Sequence, residues 1–197
     1  MARRRRTQYV DGFFHVSTRG NDRQDIYRDG ADRYWFMEIL NKVAMRYAWL
    51  VYAYCLMTTH YHLLLRLPES GMSAGMCELN GQFARWSNWR HERENHVFGK
   101  RFASTEITDE AHLLETCRYI VLNPVRAGMV SHPAQWRWSS YGACVGDEEP
   151  HAVLALNELL RLFGAKPAEA MRAYRRFVAA GLVLPSQVPV PGTSSKV

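Results

Sequence analysis

The chain predicts an α+β fold, a ferredoxin-like βαββαβ antiparallel sheet with one added helix and a helical C-terminal extension. Three observations carry this. Four short runs rich in β-branched and aromatic residues, at about 13–19, 49–57, 60–67 and 102–107, read as strands. Two longer runs with apolar residues at helical spacing, 31–47 and 72–93, alternate with them in the split βαβ order. A third helical run, 109–122, follows the fourth strand and must dock against the sheet.

The elements follow in order. Arg3 to Arg6 form a short basic arm within residues 1–11. It suits phosphate contact or minor-groove insertion, and equally a solvated terminus. Phe13 to Arg19 alternates as a strand and runs into Gly20-Asn21-Asp22, a turn signal; Asp25 to Arg28 could form a small ribbon. Phe36, Leu40, Val43 and Tyr47 recur at four, three and four residues, the spacing of a helix face. Residues 49–57 are almost wholly apolar, as in a central strand covered on both sides. Thr58-Thr59 breaks the run, so strand 60–67 pairs with it as a hairpin. Met72, Met76, Leu79, Phe83 and Trp86 form the apolar stripe of the next helix, with Asn80, Arg85, Asn88 and His91 opposite. Residues 89–101 interleave cations and rings (Trp89, Arg90, Arg93, His96, Phe98, Lys100, Arg101), a mixture that suits single-stranded nucleic acid and also an ordinary solvated loop. Thr108 is the candidate N-cap of helix 109–122, with Asp109 and Glu110 in its first turn, and Pro124 ends it.

The main domain therefore spans 12–145, a helical extension 146–184, and a Pro-, Ser- and Gly-rich tail 185–197, expected to be disordered. Gly146 to Pro150 reads as the linker. A net charge of +6 and a pI near 9.3 favour an anionic partner, nucleic acid or a membrane surface. No apolar run has the length of a transmembrane helix, and the basic start lacks the apolar segment of a secretory signal. Cys55, Cys77, Cys117 and Cys144 show no paired spacing and read as reduced residues, pointing to a cytoplasmic setting.

The chemistry centres on Thr58-Thr59-His60-Tyr61-His62-Leu63-Leu64-Leu65. On a strand, His60 and His62 share one face and Tyr61 takes the other. Two neighbouring imidazoles on a rigid strand make half a metal site; the bland alternative is one core histidine and one exposed. Tyr119 and Asn123 lie four residues apart and share a helix face, with Glu115 one turn earlier. Placed over the histidines, that face completes a divalent-ion site of two imidazoles and an amide oxygen, with a phenol positioned to attack phosphorus. A phenol, with a reference pKa of about 10, needs a nearby cation or base for this. Taken singly, each feature has an ordinary structural explanation, since the chain holds ten tyrosines and Asn-Pro is a common helix stop.

Five stretches in order resemble the single-tyrosine transposases of the HUH (His-hydrophobic-His) superfamily, and within them the REP-associated tyrosine transposases. They are Ser17-Thr18-Arg19-Gly20-Asn21 with Gln24 and Ile26; Leu56 to Leu64; Phe98-Gly99-Lys100-Arg101-Phe102; Tyr119-Ile120-Val121-Leu122-Asn123-Pro124-Val125-Arg126-Ala127-Gly128; and Trp136-Arg137-Trp138-Ser139-Ser140-Tyr141. The family usually has Pro-Asn before the first histidine, where this chain has Thr58-Thr59. The resemblance implies Tyr119 as nucleophile and His60, His62 and Asn123 as ligands of Mg²⁺ or Mn²⁺. It implies a substrate of single-stranded DNA folded as a hairpin, a 5′-phosphotyrosine product, and a bacterial, nucleoid-associated protein acting as monomer or homodimer. Candidate DNA contacts are Arg4, Arg5, Arg19, Asn21, Arg85, Arg90, Lys100, Arg101 and Arg126. Two other readings remain. One is a catalytically weak or inactive hairpin-binding protein derived from a transposase. The other is a histidine-based hydrolase or nucleotidyl transferase with His60 or His62 acting on phosphorus, disfavoured because position 64 is leucine.

Overall fold

The computed structural model describes residues 12–68 and 70–182. The arm with Arg4 and Arg5 and the tail at 185–197 lie outside the described residues. Four strands, β1 (Gly12–Arg19), β2 (Leu50–Leu56), β3 (His60–Leu67) and β4 (Ala103–Ile107), form one antiparallel sheet in the order β2-β3-β1-β4. That is the ferredoxin-like arrangement the element order predicts.

Helices α1 (Gly30–Arg46) and α2 (Met72–Arg90) cover one face of the sheet. Tyr61 of β3 points into this layer, its ring 4.7 Å from Phe36 of α1, and its hydroxyl donates to Asn80 Oδ1 of α2 at 2.6 Å. Phe36 and Phe83 meet edge to face at 5.4 Å, closing the layer between the helices. Fully burying side chains of this size contributes roughly 1.5–3 kcal/mol each. Helix α3 (Glu110–Arg126) packs on the opposite face, against β2 and β3.

Three expectations are corrected. The residues after β1 form no ribbon: a 3-10 turn at Asn21–Arg23 leads Ile26 and Tyr27 into the core, with the Ile26 N–H donating to Thr58 O. The cap of α3 is Asp109 rather than Thr108, its carboxylate accepting from the His112 N–H at 2.8 Å. And α3 continues through Pro124 to Arg126. A mid-helix proline normally costs about 3 kcal/mol, because the carbonyl four residues back loses its donor. Here that carbonyl is Ile120 O, and Asn123 Nδ2 reaches it at 3.4 Å while also donating to Tyr119 O at 2.9 Å. The chain turns away after Arg126, at Gly128, whose φ of +67° suits glycine.

The segment after α3 closes the β2 edge beside the histidines. Leu56 N–H donates to Trp138 O, the Trp136 indole to Leu56 O, and Ser140 N–H to Tyr54 O. Arg33 of α1 lies over the rings of Tyr27, Trp136 and Trp138, at 5.1, 5.8 and 5.6 Å. The Trp-Arg-Trp-Ser-Ser run is thus an edge cover, one of the ways sheets avoid open edges.

Beyond it lie α4 (Tyr141–Val145), α5 (Leu156–Arg161) and α6 (Pro167–Ala180). Gly146 to Pro150, expected as a linker, is a turn fixed by Asp147 N–H to Gly142 O and by the Arg175–Asp147 ion pair. The extension packs into the same core: Tyr174 is fully buried and Ala155 N–H donates to Val51 O of β2. All four cysteines are free, Cys77 exposed and the others buried. No helix among the described residues is long and apolar enough to cross a membrane.

Candidate active site

Strand alternation places His60 and His62 on the face turned toward α3, their rings 5.0 Å apart. The Tyr119 ring of α3 stands 5.8 Å from His62, nearly perpendicular, and is 37% exposed. The Arg126 guanidinium lies 5.1 Å from the Tyr119 ring centroid, so a cation accompanies the phenol. Arg19, paired with His60 in the β1–β3 register, brings a second positive charge to the same end of the sheet.

A third imidazole joins this face. His15 of β1 is diagonal to His62 across the β1–β3 ladder, and its Nε2 lies 2.9 Å from His62 Nδ1. The two rings stack at 5.0 Å, and His15 also meets Tyr119 edge-on at 5.8 Å. His15 is absent from the predicted site. Alternation from Phe13 to Arg19 puts it on one face with Ser17 and Arg19, but only the register shows which neighbour it meets.

The histidines are held neutral. Burial, followed by the neighbouring His15, His60 and Arg19, pushes His62 down to about 2. Burial and then Arg19 push His60 down to about 4, and burial and then His112 push His15 to about 4. Neutral imidazole is the form that ligates metals. His60 Nδ1 is engaged by Thr59 Oγ1 at 3.0 Å and His62 Nδ1 by His15, so on both rings Nε2 is the nitrogen without a hydrogen bond among the described residues. Thr59, where the family usually has asparagine, thus orients the first histidine.

Among the described residues no three His, Cys, Asp or Glu side chains converge as a ligand set. A third protein donor to a metal held by these histidines would be of another kind. Asn123, the remaining residue of the expected ligand set, is 9% exposed; its Nδ2 donates within its own helix, and its Oδ1 takes no hydrogen bond among the described residues. Glu115, on the same helix face in the sequence reading, is tied to Arg118 at 2.5 and 2.6 Å. Two neutral imidazoles and one amide oxygen, brought together, would suit a divalent ion with positions left open.

The candidate DNA contacts divide. Arg19 and Arg126 stand at the histidine face. Lys100 and Arg101 line an open cavity of 990 Å³ between α2 and the loop before β4, walled by Met76, Asn80, Ala84 and Phe98. Asn21 adjoins it: its N–H donates to Val97 O, and Gly99 packs so closely on Asn21 Cα that an added Cβ would sit at 3.1 Å. Arg85 is exposed on α2 beside Gly81, a lining residue. The Arg90 guanidinium grips Asp29 at 2.7 Å and Asp32, joining the end of α2 to the start of α1.

Residues 9–123 match the family model described as Transposase IS200 like. A Haemophilus influenzae protein assigned as a REP-associated tyrosine transposase is 28% identical over 117 residues, covering 54% of this chain and 66% of that protein. The solved structure of a REP-associated tyrosine transposase bound to a REP hairpin superposes with a TM-score of 0.63 at 21% identity, covering 74% of this chain and 86% of that one, which places the fold. With more than half of its length matched to the family model, the chain belongs to the IS200-like transposase family.

Proposed function

We propose that this chain is a metal-dependent single-stranded DNA endonuclease and strand transferase that acts on hairpin-forming repeat DNA through a 5′-phosphotyrosine intermediate. The observation that carries the reading is the meeting of the partly exposed Tyr119 phenol with His62 and Arg126 on one face. Family membership supports DNA processing, and the REP hairpin in the solved relative supports the substrate class.

His60, His62 and Asn123 would hold Mg²⁺ or Mn²⁺, which supplies Lewis-acid polarisation of the phosphoryl oxygens. Arg19 and Arg126 draw the backbone phosphate to the site and offset its charge. Tyr119 Oη attacks phosphorus as the bond to the 3′ oxygen breaks. The phenolic proton passes to solvent and the departing 3′ oxygen takes one up. The product is a phosphotyrosine ester on the 5′ side and a free 3′-OH. Because one ester replaces another, a 3′-OH returning to the phosphotyrosine rejoins a strand without ATP. The basic rim of the 990 Å³ cavity gives the DNA a further contact surface on the α2 side.

The test is incubation with an end-labelled hairpin carrying unpaired flanks, with Mn²⁺ or with EDTA. Metal-dependent cleavage that disappears in Tyr119→Phe supports the reading. Tight binding with no cleavage of any hairpin leaves a DNA-binding module, and cleavage retained in Tyr119→Phe removes the assigned nucleophile.

A further inference from the structure

We infer that His15 is a positioning residue for His62: its Nε2 accepts the His62 Nδ1–H and so fixes the tautomer in which His62 Nε2 keeps its lone pair for a cation. This rests on the reading that His60 and His62 hold a divalent ion.

The geometry admits two arrangements. His15 Nε2 and His62 Nδ1 are 2.9 Å apart, so one of them carries the shared proton. If His15 donated, His62 would bear its own proton on Nε2 and could not ligate through it. If His62 donates, its Nε2 is free and His15 carries its proton on Nδ1. Only the second arrangement leaves a metal-competent His62. Metal-ligating histidines commonly donate their other ring N–H to a partner that fixes ring and tautomer. Thr59 Oγ1 occupies the equivalent nitrogen of His60 at 3.0 Å, so both rings present the same free atom.

The fold holds His15 in place for this. The β1–β3 register sets Ser17 opposite His62 and His15 opposite Leu64, making His15 and His62 diagonal neighbours on one face. The rings stack at 5.0 Å with 29° between their planes, and Tyr119 closes over both at 5.8 Å. His15 has its Nε2 occupied by His62, so it acts behind the site and is not itself a ligand.

Two measurements test this. Nitrogen-15 NMR of the metal-free protein at neutral pH should show His62 as the Nδ1–H tautomer; an Nε2–H tautomer overturns the proposal. Mn²⁺ titration followed by EPR should show His15→Phe weakening binding by about 10- to 100-fold, with His15→Gln, which restores an acceptor oxygen, recovering most of it. Wild-type Mn²⁺ affinity in His15→Phe, or a Gln variant as poor as the Phe one, overturns the positioning role. Hairpin affinity and the metal-free melting curve should stay near wild type in both variants, and loss of either in step with Mn²⁺ binding would make His15 merely structural. His60→Ala reports on the underlying metal reading: undiminished Mn²⁺ binding there removes that reading, while the tautomer result stands on its own because it needs no metal.

Discussion

Two polar clusters lie on opposite faces of this sheet, and they are built on opposite principles. At the junction of α1 and α2, the fully buried Asp32 carboxylate accepts from Arg90, from His91 Nε2 at 2.9 Å and from the Arg28 N–H at 2.6 Å, while Asp29 takes the rest of the Arg90 fork. Both carboxylates there are taken up by N–H donors of Arg90, His91 and the backbone. On the α3 face, three neutral imidazoles, a phenol and Arg126 gather, and the cluster is left open: Arg126 has no carboxylate partner among the described residues, and two imidazole nitrogens and one amide oxygen take no hydrogen bond among them. The saturated cluster holds two helices together, and the unsaturated one is suited to a cation and a phosphate from outside the chain.

The largest expected effect comes from breaking the open cluster. On the proposed mechanism His60→Ala would remove a metal donor and should lower hairpin cleavage by more than about 100-fold, beyond what the loss of an outer-shell partner costs. Hairpin affinity, measured by gel shift in EDTA, should change little, because binding rests on arginine and lysine contacts. Equal loss of both would make the histidines structural and erase the contrast between the clusters.

The saturated cluster should respond the other way. Asp32→Asn removes the charge that Arg90 and His91 share and should lower stability by about 2–3 kcal/mol, as for hydrogen bonds to charged groups. Urea denaturation reads the loss, and cleavage per folded molecule should remain. A cleavage defect without loss of stability would place this cluster in the chemistry.

The smallest effect concerns pH. The Arg90 guanidinium beside Asp29, with the Asp32 backbone N–H, holds the Asp29 carboxyl well below the usual carboxylate range. A depressed folded value gives stability that is present above the unfolded pKa of about 3.9 and is lost as pH falls through the folded value. Below about pH 4 the melting temperature should therefore fall less steeply in Asp29→Asn than in wild type. Identical slopes would mean that this exposed ion pair is fully screened.

How much of this was legible in the sequence differs between the clusters for the same physical reason. Alternation alone placed His60 and His62 together with Tyr61 opposite, and helical spacing joined Tyr119 to Asn123, because both are local periodicities. His15 joins the site through the pairing register of two strands 47 residues apart, which no local pattern encodes. Arg90 looked like a free cation in a basic, aromatic run; its acidic partners lie 58 and 61 residues earlier and meet it only when α1 packs on α2. Pro124 read as a helix stop because the rule assumes an orphaned carbonyl, and the Asn123 amide supplies the missing donor.

The most direct test of the central claim is to locate the covalent bond. Wild-type protein is incubated with the hairpin and Mn²⁺, denatured, digested with nuclease and protease, and the adduct mapped by tandem mass spectrometry. The expected result is a phosphonucleotide remnant on Tyr119. A remnant on His60, His62 or another tyrosine, or cleaved DNA with no protein adduct at all, would contradict it.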